Sequence, residues 1–146
     1  MDTADLAGTY TYRSFLDLPQ PVDDFNRLRF AQLELRLTVE PDGAIDGALV
    51  FPAEPGEPEL AMDMTGKVAN GSTAVHFTLT GRGRPHTSIA DFHYEYDGIV
   101  LPHWAAGKNQ RQTLAGTVLR AADHGSGASL AKAGQTAGFL AVLRDA

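Results

Sequence analysis

The sequence predicts an all-β protein, a single domain over residues 1–146 formed by one closed, antiparallel, up-and-down barrel of about eight strands. Helical periodicity is almost absent, and short segments of alternating apolar and polar residues recur between turn residues. Glycines lie within or beside these segments, where a closing sheet has to bend. Closure also removes the exposed edges of an open sheet. A two-sheet β-sandwich is the alternative architecture.

Eight segments carry the strand pattern. The second is the clearest, because every other residue from Leu33 to Val39 is apolar and the residues between them are polar. We predict strands over residues 8–16, 29–39, 44–51, 59–68, 73–81, 88–101, 112–121 and 136–144.

The connections predict how the strands are joined. Residues 41–43 ("PDG") and 70–72 ("NGS") are typical of tight hairpin turns, since Asp, Asn and Gly tolerate a positive φ. Both turns lie at one end of an up-and-down sheet. The longer connections fall at the other end, except for residues 102–111.

Composition excludes several classes of protein. The chain has 146 residues, 43% of them hydrophobic and 21% charged, which is typical of one soluble domain. A net charge of −6 without a basic run argues against nucleic-acid binding. No apolar run approaches the roughly 18–20 residues of a membrane span, and "MDTADLAG" is unlike a signal peptide. We therefore expect a cytoplasmic protein without a membrane partner.

Cofactor and metal sites leave no recognisable pattern. The chain has no cysteine, so disulfides, thiolate metal sites and a cysteine nucleophile are excluded. Its histidines are scattered, and no Gly-rich phosphate loop is present. We expect neither a metal nor a cofactor.

The two ends of the chain suggest a family. "AGTYTY" begins the first predicted strand and "GFLAVLR" lies in the last. This pairing resembles the calycin barrels, which include the lipocalins and streptavidin-like proteins and begin with Gly-x-Trp. The resemblance implies that Gly8 and Tyr10 occupy this motif, with Tyr in place of Trp, and that Arg144 packs near the ring. It also implies a barrel that can hold a ligand.

The stretch "ADFHYEYDG", residues 90–98, alternates between a polar and an aromatic set of side chains. A strand sends successive side chains to opposite faces, so only one set can line the interior. Apolar faces on the neighbouring segments favour the aromatic set inside. The aromatic set is Phe92, Tyr94 and Tyr96, and the polar set is Asp91, His93 and Glu95.

The polar set is the candidate catalytic group. Alternate strand residues lie roughly 6–7 Å apart, so a histidine and a carboxylate could move a proton between them. We take His93 and Glu95 as the candidate acid–base pair. The dipeptide Asp97-Gly98 is consistent with either a bulge or a hairpin turn.

Aromatic and basic residues supply the candidate ligand-binding set. Rings with polar tips suit a ligand that is mostly apolar with a few oxygens, and arginines could hold an acidic group. The lone tryptophan lies on a loop, where it could plug the barrel, cap a pocket or pack against a subunit. The set comprises Tyr10, Tyr12, Arg13, Arg82, Arg84, Phe92, Tyr94, Tyr96 and Trp104.

The last two predicted strands are apolar on both faces. An isolated barrel buries one face of each strand, so the second face indicates a homo-oligomer.

Three functions remain open. The leading hypothesis is a protein that binds a small, largely apolar organic molecule in the barrel bore. The alternative is a cofactor-independent cyclase or isomerase in the same cavity, with His93 and Glu95 in acid–base roles. The third is a filled barrel that serves as an oligomeric interaction module.

Overall fold

The computed structural model describes residues 3–70 and 74–145 of the chain. Within these ranges eight antiparallel strands hydrogen-bond in chain order and close into one up-and-down barrel, which confirms the predicted fold class. The strands are β1 (Gly8–Leu16), β2 (Arg29–Val39), β3 (Ala44–Phe51), β4 (Leu60–Asn70), β5 (Val75–Gly83), β6 (His93–Val100), β7 (Thr113–Arg120) and β8 (Thr136–Asp145).

Three short 3-10 helices, η1 (Thr3–Leu6), η2 (Phe25–Leu28) and η3 (Gly127–Ser129), accompany the strands. None of the helices in the described ranges is both long enough and apolar enough to span a bilayer.

The prediction of a strand over residues 88–101 is wrong at its start. Residues 88–92 form turns instead, in which the Phe92 N–H donates to the Ile89 carbonyl (2.9 Å). The Gly83 N–H donates to the Phe92 carbonyl (3.0 Å), so this segment folds back onto the end of β5. A β-carbon at Gly83 would lie 1.6 Å from the Ile89 oxygen, so only glycine permits this close approach.

Asp97 and Gly98 form neither a bulge nor a turn. Gly98 pairs with Phe77 on β5 and with Gly116 on β7, and both ladders run through it without a register shift. The alternation of side chains therefore continues to the end of β6. The 41–43 turn is present, with Gly43 at φ +91°. Residues 71 and 72 of the predicted turn at 70–72 lie outside the described residues.

Tyr10 closes the end of the barrel near η1. Its hydroxyl donates to the Leu6 carbonyl (2.8 Å) and accepts from Gln112 Nε2 (2.8 Å), and the side chains of Tyr10 and Leu6 are fully buried. The expected packing of Arg144 on this ring is wrong. Arg144 is exposed on the outer face of β8, where it pairs with Glu34. Gln112 bonds the phenol instead.

Large rings fill the middle of the barrel because glycine leaves space for them. Phe77 and Phe139 are 1% and 4% exposed, and their ring centroids lie 6.4 Å apart. A β-carbon on Gly98 would come within 2.6 Å of Phe77 Cζ, 3.1 Å of Phe139 Cζ and 2.9 Å of the Ala115 carbonyl oxygen. The two rings thus form a floor across the bore.

The outer face of the last strands is partly apolar. The side chains of Ile99, Leu119, Leu140 and Val142 are between 37% and 44% exposed. Leu140 is paired with Ala115 and Val142 with Thr113, so apolar residues are contiguous across β7 and β8.

Replacing Gly98 with alanine tests the packing of the floor. We expect Gly98→Ala to lower the free energy of unfolding by about 1–3 kcal/mol, because the new methyl group overlaps two buried rings and a backbone oxygen. Gly138→Ala is the matched control on β8, since its β-carbon would meet only the Gly116 oxygen at 3.8 Å. Urea unfolding measures both variants, and equal stabilities would contradict the packing argument.

Candidate ligand-binding cavity

A cavity of about 200 Å³ opens at the end of the barrel that carries the longer connections. It lies above the Phe77–Phe139 floor, and inward-facing residues of β1 to β4, β6 and β7 form its wall together with two residues from the connections. The apolar part of the wall includes Phe30, Leu33, Leu49, Phe51, Met62 and Phe92. The polar side chains are Tyr12, Ser14, Tyr94, Tyr96, Arg120 and His124.

Three hydroxyl groups form the enclosed polar part of the cavity. Ser14, Tyr12 and Tyr96 are 1%, 3% and 5% exposed. Ser14 Oγ is buried and makes no hydrogen bond of good geometry among the described residues, although it lies close enough to the Tyr12 hydroxyl to lower the pKa of that phenol slightly against the effect of burial. Burial raises the pKa values of Tyr12 and Tyr96 well above that of a free tyrosine, so both phenols stay protonated at neutral pH. The cavity therefore offers neutral hydroxyls to a polar atom of a ligand.

Arg120, Tyr94 and His124 are hydrogen-bonded in series at the cavity mouth. Arg120 Nε donates to the Tyr94 hydroxyl (2.9 Å), and that hydroxyl lies 2.8 Å from His124 Nε2. Arginine can only donate, and the phenol donates to Nε2 when His124 is neutral with its proton on Nδ1. The pairing of Tyr94 with Arg120 across β6 and β7 sets this contact.

His124 is held at the mouth as a neutral base. Its ring stacks on Phe92, with centroids 3.9 Å apart. Burial is the largest cause of the lowered pKa of His124. The positive charge of Arg120 lowers the pKa further, and the negative charge of Asp91 raises it. A lowered pKa leaves the imidazole uncharged at neutral pH, which agrees with its role as hydrogen-bond acceptor.

The structure brings four of the predicted ligand-binding residues together in this cavity. Tyr12, Phe92, Tyr94 and Tyr96 all line it. The rings of residues 94 and 96 point inward and are buried, as alternation predicts, although Phe92 comes from the turn before β6. Tyr10 lies at the other end of the barrel, where Leu6 and Gln112 occupy its hydroxyl.

The predicted arginines lie outside the cavity. Arg13 is on the opposite face of β1 from Tyr12, where it donates to Asn26 Oδ1 (2.6 Å). Arg82 is exposed on the outer face of β5, and Arg84 bonds to Asp63 (2.9 Å).

Trp104 also lies away from the cavity. Its side chain is 82% exposed on the connection between β6 and β7, which is at the closed end of the barrel. It therefore neither plugs the bore nor caps the cavity.

The side chains of the polar set, Asp91, His93 and Glu95, lie on the outside of the barrel and do not form one cluster. His93 Nε2 and Glu95 Oε1 are 2.6 Å apart, and Thr80 Oγ1 donates to Glu95 Oε2 (2.7 Å). Asp91 precedes the strand and accepts from the Gly125 N–H (2.9 Å). Across residues 3–70 and 74–145, no group of three His, Asp or Glu side chains is arranged to hold a metal ion.

Sequence reasoning missed Ser14, Arg120 and His124. The first two carry a signal, because alternation places Ser14 on the same face as Tyr12 and Arg120 on the same face as Val118. His124 carries none, because it lies in an irregular segment and reaches the site only through the fold of that loop.

Comparison of the chain with protein-family models, with curated proteins and with solved structures gives no match.

Proposed function

We propose that this protein is a calycin-like barrel that binds a small, largely apolar organic molecule in its cavity. The observation that carries the proposal is a cavity with an aromatic wall and a buried hydroxyl, Ser14 Oγ, that makes no hydrogen bond of good geometry within the protein. Small-molecule sites commonly combine an apolar wall with a few polar groups.

The incompletely satisfied Ser14 hydroxyl supports a ligand in this cavity. A buried polar group without a partner costs about 1–3 kcal/mol, and nearly all such groups in folded proteins are satisfied. The Tyr12 hydroxyl interacts with the hydroxyls of Ser14 and Tyr96, so the three form a cluster that a polar atom of a ligand would complete. Serine at this inward position of β1 contributes little to packing and is suited to recognition.

The size of the cavity restricts the ligand. At about 200 Å³ it is below the range of roughly 300–1,000 Å³ that holds drug-sized molecules. A one-ring or two-ring compound matches this space, and a long lipid chain does not.

Filling the cavity tests the binding proposal. We expect indole or 2-naphthol to raise the Tm of the wild-type chain by several degrees, because a ligand that binds only the folded state stabilises it. Ala31 lines the cavity, so Ala31→Phe should abolish this rise. Gln32→Phe adds the same ring to the exposed outer face of the same strand and should retain it.

NMR and native mass spectrometry complete that test. Bound probes should shift the amide signals of Ser14 and Tyr96, and a ligand that copurifies should appear as added mass. The binding proposal fails if neither probe changes the Tm or the spectra of the wild-type protein and no mass is retained.

A second candidate function is acid–base catalysis in the same cavity. The supporting observation is the hydrogen-bonded series of Arg120, Tyr94 and His124. A substrate proton could pass to Tyr94 Oη while the phenol proton passes to His124 Nε2, and Arg120 would stabilise negative charge on the phenol oxygen. This series replaces the pair predicted from sequence, because His93 and Glu95 face away from the cavity.

Proton exchange at carbon tests the catalytic candidate. We expect the wild-type protein to accelerate deuterium uptake by 2-indanone in D₂O, followed by NMR. Tyr94→Phe and His124→Gln should each reduce the enzymatic rate at least tenfold. His93→Gln is the control, because this residue lies on the outer wall, and its rate should match wild type. A wild-type rate equal to that of buffer would refute catalysis of this kind, as would equal rates in all variants.

We also propose self-association through the outer face of β7 and β8. The support is the contiguous apolar surface of Leu140, Val142 and Ala115, which Ile99 extends onto β6. Exposed apolar surface of this kind is typical of contacts between subunits.

A charge on this face should dissociate the oligomer. We expect the wild-type chain to be at least dimeric at micromolar concentration and Leu140→Glu to be monomeric, as measured by light scattering. Thr78→Glu places the same charge on the exposed outer face of β5 and should leave the assembly intact. A monomeric wild-type protein would rule out this interface.

A further inference from the structure

Arg120 is the inward-facing residue at the end of β7, and four contacts hold its guanidinium at the cavity mouth. Its Nε donates to the Tyr94 hydroxyl (2.9 Å), and its Nη1 donates to the Lys132 carbonyl (3.2 Å). The rings of Phe30 and Tyr94 lie 5.6 Å and 5.7 Å from its central carbon. The group is therefore held in place before any ligand arrives.

This guanidinium has no ion-pair partner among the described residues. The aspartates of the surrounding connections form other bonds. Asp91 accepts from the Gly125 N–H, Asp123 from the Ala133 N–H, and Asp17 from the Thr136 hydroxyl. Lys132, which shares the β7–β8 connection with Asp123, lies 4.0 Å from that carboxylate.

The free donors of Arg120 match a planar anion. Of its five N–H groups, one on Nε and one on Nη1 are used, which leaves three. A guanidinium stays charged at every physiological pH, and its fork of donors fits a carboxylate with two parallel hydrogen bonds. The charge also acts on its surroundings, because it lowers the pKa of His124. With that imidazole neutral, Arg120 provides the positive charge of the lining.

We propose that the ligand of this cavity is a small aromatic carboxylic acid, with its carboxylate on Arg120 at the mouth and its ring against the aromatic wall. A polar atom at the far end of the ring would meet the hydroxyls of Ser14 and Tyr12. This inference rests on the proposed binding function and specifies its ligand class. The distinction between carboxylate and neutral headgroup comes from Arg120, whereas the apolar wall would accept either.

Two matched probes show whether binding depends on the negative charge of the ligand or only on its shape. We use 3-(4-hydroxyphenyl)propanoate and its amide, 3-(4-hydroxyphenyl)propanamide, which share a ring and a far-end hydroxyl and differ in the headgroup. At pH 7 we expect the acid to bind the wild-type protein at least tenfold more tightly than the amide by calorimetry, a difference of about 1.4 kcal/mol. High salt should reduce this preference, because part of the mouth is open to solvent.

Arginine variants assign the preference to one residue. Arg120→Gln should bring the acid to within threefold of the amide, with the amide affinity little changed. Arg82→Gln removes an exposed arginine of the outer wall and should keep the full tenfold preference. If Arg120→Gln does not fold, the Arg120 Nε–H signal of the wild-type protein is the second readout, and it should shift with the acid and not with the amide.

The possible results distinguish the proposed binding function from the proposed preference for a carboxylic acid. Equal affinities for acid and amide in the wild-type protein would overturn the acid and leave the binding function intact. A preference that survives in Arg120→Gln would overturn the assignment to Arg120. Failure of both probes, together with failure of indole and 2-naphthol, would overturn the binding function and this inference with it.

Discussion

The barrel closes through the pairing of β1 with β8, and the enclosed bore exists because of this pairing. β1 hydrogen-bonds to β2 on one side and to β8 on the other, so that each of the eight described strands has two neighbours. Closure encloses every second residue of each strand in a bore of limited width. The inward rings of β5, β6 and β8 compete for that space, and glycine at position 98 makes room for two of them.

Closure also makes the two ends of the barrel different. At one end, Tyr10 satisfies its hydroxyl with Leu6 and Gln112, and apolar side chains fill the space around it. At the other end the inward positions carry Ser14 and Arg120, whose polar groups the protein satisfies incompletely. Unsatisfied hydroxyls and unpaired charges oppose folding, and their concentration at this end is the basis of the ligand proposed for the cavity.

The candidate site was only partly predictable from the sequence. The rings of Tyr12, Tyr94 and Tyr96 could be placed in the bore, because alternation on a strand is a local property. The same local rule did not identify which arginine lines the cavity. Arg82 lies two residues from Arg84 in the sequence, and both were predicted to bind a ligand. The alternation of side chains along β5 nevertheless places Arg82 on the outer face. Arg120 stands alone in sequence and meets Tyr94 only through the pairing of two strands.

Local sequence patterns account for the all-β class, the number and order of the strands, and the face of β6 that points inward. These properties follow from the period of apolar residues and from turn residues, which act over a few neighbouring positions. Three features arise from packing in three dimensions. Residues 88–92 fold back onto Gly83, His124 stacks on Phe92, and a cavity remains above the Phe77–Phe139 floor. Those features depend on strand register and on the volumes of side chains distant in sequence, and no local pattern encodes either.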